Sequence, residues 1–113
     1  MKKILLVTSL VAASIAIAPT AKADNLSLRI CEYVQANDKS RLRSFLKQNK
    51  IKIRNVFKEL SCNKDNLLIF AAKSKSLEVG EFIIGKLPAK VVKAEIDNIA
   101  KYSAHLAEEA KER

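Results

Sequence analysis

The sequence predicts an all-α fold: a small helical domain of two helical hairpins plus a C-terminal helix, with one disulfide. Three observations carry that expectation. Apolar residues recur at helical spacing along most of the chain. Two glycines, no tryptophan and 49% hydrophobic residues in 113 argue against disorder and against a turn-rich β-sandwich. Cys31 and Cys62 are the only two cysteines, and an even count is what a bridge requires.

The first residues read as an export signal. Met1, Lys2 and Lys3 form a short positive stretch and Ile4 to Ala18 a largely apolar one, after which Pro19 is expected to end any helix. Ala21-Lys22-Ala23 has the small-x-small pattern that signal peptidase accepts, which places the cut after Ala23. A membrane anchor is the alternative, but the apolar run is shorter than the roughly 20 residues of a spanning helix. Residues 1-23 are thus expected as a signal peptide, 24-88 as the helical-hairpin domain and 89-113 as a C-terminal helix packing on it, its charged end frayed. The mature chain is expected to be periplasmic or secreted, with no transmembrane segment. Losing Lys2, Lys3 and Lys22 takes 21 cations to 18 against 12 acidic residues, a net charge of +6. A chain this short buries roughly 60–65% of its unfolded surface, enough for one modest core.

Export would carry Cys31 and Cys62 to a compartment where paired thiols oxidise. Closing a loop of about 30 residues constrains the unfolded chain by roughly 3.5 kcal/mol in the chain-entropy account. Two separate buried thiols are the alternative. A redox-active pair is disfavoured because the C-x-x-C spacing is missing.

Leu26, Ile30, Tyr33 and Val34 open the helical pattern, and Leu42, Phe45 and Leu46 continue it after Asn37-Asp38, which together predict a hairpin. Ile53, Val56, Phe57 and Leu60 have i, i+3, i+4, i+7 spacing and lead to Cys62. Asn63 and Asp65 are expected to cap a helix carrying Leu67, Leu68, Phe70 and Ala71. Lys73-Ser74-Lys75 then predicts a turn, Ser76 a cap, and Leu77, Val79, Phe82 and Ile83 a helix closed by Gly85 and Pro88. The last helix is expected from about Ala89 to Ala110, with Val92, Ile96, Ile99, Tyr102 and Leu106 along one side.

Sliding the first hairpin by 37 places lays Ile30 on Leu67, Val34 on Ala71, Leu42 on Val79 and Leu46 on Ile83. The segment Leu68 to Val79, in which an Ala-Ala helix turns through small polar residues into a second helix, resembles the ankyrin pattern. Only the helix pair matches, since the Thr-Pro-Leu-His opening is absent; an ordinary α-hairpin pair is the alternative. Two such units fall below the usual minimum of about three for a freestanding stack, so a bridge and the last helix must close the core.

Read together, Ile30-Cys31-Glu32-Tyr33-Val34, Asn37-Asp38-Lys39-Ser40-Arg41-Leu42-Arg43, Ile53-Arg54-Asn55-Val56 and Ser61-Cys62-Asn63 resemble a family of short exported bacterial proteins grouped only as a domain of unknown function. The resemblance covers roughly Leu26 to Pro88. It implies that Cys31 and Cys62 belong to a shared framework, and it brings no activity with it.

Between Lys39 and Lys58 stand Lys39, Arg41, Arg43, Lys47, Lys50, Lys52, Arg54 and Lys58, without one acidic residue. Such a run concentrates positive potential and attracts phosphates, anionic head groups or acidic proteins. A solvated face of a basic protein is the bland reading. Nucleic acid is disfavoured as a partner, because Phe45 and Phe57 sit at core spacing and export removes the chain from intracellular DNA and RNA. The expected partner is an acidic protein or an anionic surface of the envelope.

Little points to chemistry. The single histidine, His105, has no nucleophile and orienting group near it in sequence, so no catalytic residue is expected. Cys31, Cys62 and His105 lack metal-ligand spacing, and no metal or other cofactor is expected. The leading expectation is a non-enzymatic binding module acting through its basic face. A self-associating structural component of the envelope and a small exported hydrolase are the alternatives.

Overall fold

Among the described residues, caps and turns divide the chain into eight helices and no strand. The structure, a computed structural model, describes the backbone from Ala18 to Arg113 and the side chains from Asn25 onward. The helices are α1 (Ala18–Gln35), α2 (Lys39–Gln48), α3 (Ile53–Val56), α4 (Leu67–Lys73), α5 (Leu77–Lys86), α6 (Ala89–Ala94), α7 (Ile96–Ala100) and α8 (Ala104–Lys111). The expected all-α class and the Cys31–Cys62 disulfide are both present.

Most of the expected leader lies outside the described residues. α1 runs through Pro19, and the apolar run that Pro19 was expected to terminate lies, apart from Ala18, outside the described residues. Among the described side chains of α1, which begin at Asn25, the first that is fully buried is Ile30.

Two helix–turn–helix joints organise the domain. At the end of α1, Ala36 N–H donates to Glu32 O, Asn37 N–H to Val34 O and Asp38 N–H to Tyr33 O. At the end of α4, Ser74 N–H donates to Phe70 O, Lys75 N–H to Ala72 O and Ser76 N–H to Ala71 O. Asn37 and Lys75 take φ of 56° and 57°, the left-handed conformation that reverses the chain. The two joints therefore repeat with Asn37 matched to Lys75 and Asp38 to Ser76, one residue beyond the 37-place register expected from the apolar stripes. The stripes mislead because α5 buries Val79, Gly80, Ile83 and Ile84 alike, so either register keeps apolar residues inside.

The joints also interlock. Ser76, fully buried, was expected to cap α5; instead its hydroxyl donates to Val34 O at 2.6 Å. The cap comes from the other joint: Asn37 Oδ1 accepts from Val79 N–H at 3.0 Å. The end of α1 and the start of α5 thus satisfy each other's unpaired groups. α2 is capped locally, Asp38 Oδ1 accepting from Arg41 N–H at 3.1 Å, and buries Leu42 and Leu46.

The third stripe yields only the short α3. Its Ile53 and the later Leu60 are buried, while Val56 and Phe57 are half-buried. The chain then makes a tight turn in which Cys62 and Asp65 exchange two backbone hydrogen bonds, with Asn63 and Lys64 both at positive φ. Asn63 is therefore a turn residue, and the cap of α4 is Asn66, whose Oδ1 accepts from Ile69 N–H at 2.9 Å. The disulfide fixes this turn to α1 with a Cα–Cα distance of 5.7 Å.

The single C-terminal helix expected from Ala89 to Ala110 is three helices. Glu95 N–H turns back to Val92 O, and Ser103, in extended backbone, caps α8 by accepting from Leu106 N–H at 3.2 Å. Folding back lets α8 pack on α5 and α7 and bury Leu106, Ala107 and Ala110, which a straight rod would leave in water. Tyr102, expected on the buried side, falls in the reversal and is exposed. The end expected to fray is held: Arg113 donates to Ile84 O at 3.1 Å and Leu87 O at 2.7 Å. Gly85, expected to close α5, lies inside it.

Gly80 is where α8 closes on α5. A Cβ there would lie 2.6 and 2.7 Å from the two Cδ atoms of Leu106, itself 1% exposed, whereas a Cβ at Gly85 meets nothing within 4 Å. Gly80→Ala is expected to destabilise by about 1–3 kcal/mol through overpacking, while Gly85→Ala should stabilise by about 0.5–1 kcal/mol through helix propensity. Paired urea melts check the opposite signs. Ser76→Ala should cost about 0.5–1.5 kcal/mol in the same melts, because the buried Val34 carbonyl loses one of its two donors and keeps Asn37 N–H.

Candidate functional site

The basic run does not fold into one continuous face. All eight of its cations are exposed. On α2, Lys39, Arg43 and Lys47 lie four residues apart and share one side, flanking the buried Leu42 and Leu46. Arg41 projects from the opposite side, beside Asp38 at 3.4 Å, and lines a shallow hollow with Tyr33 and Phe45. The other seven make no ion pair among the described residues.

Three of them converge. Arg43 from α2, Lys52 before α3 and Arg54 within it border a surface cleft of about 280 Å³, completed by Leu46, Ile51, Ile53, Phe82 and Lys86. The two rims exist because α2 and α3 both pack against α5, which turns Phe82 toward the run. α2 ends in a left-handed residue, Lys50 at φ 55°, with Ile51 N–H donating to Leu46 O at 2.8 Å. That reversal sends Ile51 back alongside Leu46 and leaves Lys52 at the edge. The cleft therefore has an apolar floor and four cations around it, with no carboxylate among its lining residues.

Lys86 lies outside the run, and the sequence reading did not include it. Its ammonium sits 5.6 Å from the centre of the Phe82 ring. The available signal was the Phe82-x-x-x-Lys86 spacing, which puts both on one side of a helix. Of the remaining cations, Lys39 lines a neighbouring hollow with Arg43, but Asp38 and Glu78 stand there too. Lys47, Lys50 and Lys58 border none of these hollows.

A polar hollow of about 580 Å³ lies at the other end, lined by Gln35, Asn63, Asp65, Phe70, Lys73 and Ser74. Its charges are already satisfied. Lys73 Nζ is 3.0 Å from Asp65 and 5.1 Å from the centre of the Tyr102 ring, and the hydrogen bond to Asp65 holds its pKa above the usual lysine value.

His105 stands on α8, half exposed, with Nε2 2.5 Å from Glu81 on α5. Glu109, one turn further along α8, brings a third ligand atom within 4.8 Å of both. The sequence reading had set His105 against the two cysteines, which are bonded to each other; its actual neighbours are carboxylates. A cation could be held there by one imidazole and two carboxylates, and the observed hydrogen bond already satisfies the histidine without one. The hydrogen bond to Glu81 raises the His105 pKa above its ordinary 6.5; desolvation opposes it, and the charges of Glu81 and Glu109 add smaller upward contributions. A raised folded pKa means the pair stabilises fully below pH 6.5 and that this contribution is lost as pH rises through the folded value. An NMR titration should find His105 titrating above 6.5, and Glu81→Gln should move it down toward the ordinary value.

No curated protein and no solved structure matches the chain. A family model does, over residues 30–94, described as a protein of unknown function (DUF3718). That span holds both cysteines, both helix–turn–helix joints and every residue lining the cationic cleft, and it covers more than half of the sequence. The chain belongs to the DUF3718 family.

Proposed function

We infer that this protein is a non-enzymatic binding module of the cell envelope, exported by residues 1-23 and cut after Ala23, whose basic face engages an acidic protein or an anionic surface. The cleft bordered by Arg43, Lys52, Arg54 and Lys86 is the observation that carries the reading. Four exposed cations around one hollow, without a carboxylate among its lining residues, hold a positive potential that intramolecular ion pairs do not cancel. The polar groups inside the fold serve structure: the buried Ser76 and Ser103 are both engaged in backbone hydrogen bonds. The disulfide suits an oxidising compartment, and no described helix is long and apolar enough to cross a membrane.

The test is binding to vesicles containing phosphatidylglycerol at low and at physiological salt. Each cation held near an anionic surface contributes about 1 kcal/mol, so replacing Arg43, Lys52, Arg54 and Lys86 by Ser together should weaken binding at low salt at least about tenfold. All four side chains are exposed, so the variant is expected to fold. Unchanged vesicle binding by the folded variant would overturn the reading.

A further inference from the structure

Resting on the basic face as an anion-binding surface, we propose that the cleft between α2, α3 and α5 takes a single-chain anionic amphiphile. Its carboxylate or phosphate head sits among Arg43, Lys52, Arg54 and Lys86, and its chain lies on Leu46, Ile51, Ile53 and Phe82.

Both halves of the lining are needed for that assignment. A site for a bare anion gains nothing from an apolar floor, yet Ile51 and Phe82 are only half-buried and present apolar surface to water in the cleft. A site for a neutral apolar ligand gains nothing from four like charges around it. Those charges repel one another across a hollow of about 280 Å³, and an anionic group placed between them relieves the repulsion. Two of the four are arginines, whose planar forks match carboxylate and phosphate oxygens in pairs. Lys86 has the reach to serve both parts, its stem along Phe82 and its ammonium free to turn from the ring to the head group.

Size narrows the ligand further. At about 280 Å³ the cleft falls just below the roughly 300–1,000 Å³ range of small-molecule sites, which suits part of one aliphatic chain. The other hollows lack the combination. The one shared by Lys39 and Arg43 includes Asp38 and Glu78, and the larger polar one holds an internal Asp65–Lys73 pair.

Calorimetric titration of the oxidised protein with dodecyl phosphate, kept below its micellar concentration, tests the assignment. Inorganic phosphate and neutral dodecyl maltoside are run beside it, and retention on a heparin column is measured on the same sample. The expected result is saturable one-site binding of dodecyl phosphate at least about tenfold tighter than of either comparison ligand, with head and chain each contributing. Methyl resonances of Leu46, Ile51 and Ile53 should shift on titration, which locates the ligand without any substitution. Arg43→Ser combined with Arg54→Ser should weaken dodecyl phosphate binding about tenfold, and Lys93→Ser with Lys101→Ser, neither of which lines the cleft, should leave it unchanged. Equal affinity for inorganic and dodecyl phosphate, or shifts confined to other methyl groups, overturns the amphiphile assignment. If heparin retention persists in that case, the anion-binding face stands and reads charge alone; if retention also fails, both readings fall.

Discussion

A single buried hydrogen bond, from the Ser76 hydroxyl to the Val34 carbonyl, decides how the two halves of this fold meet. Both residues are fully buried; Val34 O also accepts from Asn37 N–H, so one carbonyl ties the turn's own backbone and the distant hydroxyl together, and a buried hydroxyl left without an acceptor would be costly. Asn37 completes the clasp from the opposite side by capping α5 at Val79. These two contacts lock the end of α1 to the start of α5. Because α2 follows directly from the Asn37 turn, its position over α5 is set by the same clasp, and with it the separation of the rims that carry Arg43 and Lys86.

The disulfide supports a different joint. Cys62 belongs to a tight turn whose two central residues, Asn63 and Lys64, take left-handed backbone, a conformation that a lysine adopts only at a cost of about 1–2 kcal/mol. Tethering that turn to Cys31 holds α1 near the start of α4. The bridge therefore fixes the chain between the two interlocked joints, where α3 contributes few residues of its own to the core. With the clasp at one end and the bridge at the other, α3 has a defined place from which Lys52 and Arg54 face the cleft.

Much of this was legible in the sequence, for identifiable reasons. Apolar spacing marks α2 and α5 because each buries one stripe, α4 is marked by an unbroken apolar run, Leu67 to Ala72, that is buried throughout, and Asn37-Asp38 marks the turn between α1 and α2. The cysteines announced their bridge because an even count in a chain expected to be exported leaves few other uses for them. What could not be read depends on partners distant in sequence. Ser76 looks like an ordinary local cap, and only the folded chain shows its hydroxyl turned to Val34, 42 residues earlier. The reversal at Ser103 was hidden because Val92, Ile99 and Leu106 keep helical spacing whether the segment is straight or folded back. The basic run was visible, but its division into a cleft rim and scattered surface charges depends on Phe82 and Lys86, which arrive from α5.

The C-terminal segment then has a specific part in the fold of this chain. The matched span ends at residue 94, before α7 and α8, yet α5 within that span carries Gly80, whose missing side chain leaves room that Leu106 occupies. Val79 and Ile83 of the same helix are completely buried, and α8 is among the helices packed against α5. Arg113 closes the arrangement from the far end by taking up the Ile84 and Leu87 carbonyls where α5 stops. The side of α5 that α8 covers is thus separate from the side where Phe82 and Lys86 meet α2 and α3. One helix serves as the shared wall, its glycine side fitted to the closing helix and its Phe-Lys side to the cleft, so tightening the core against α8 also steadies the floor on which a ligand would rest.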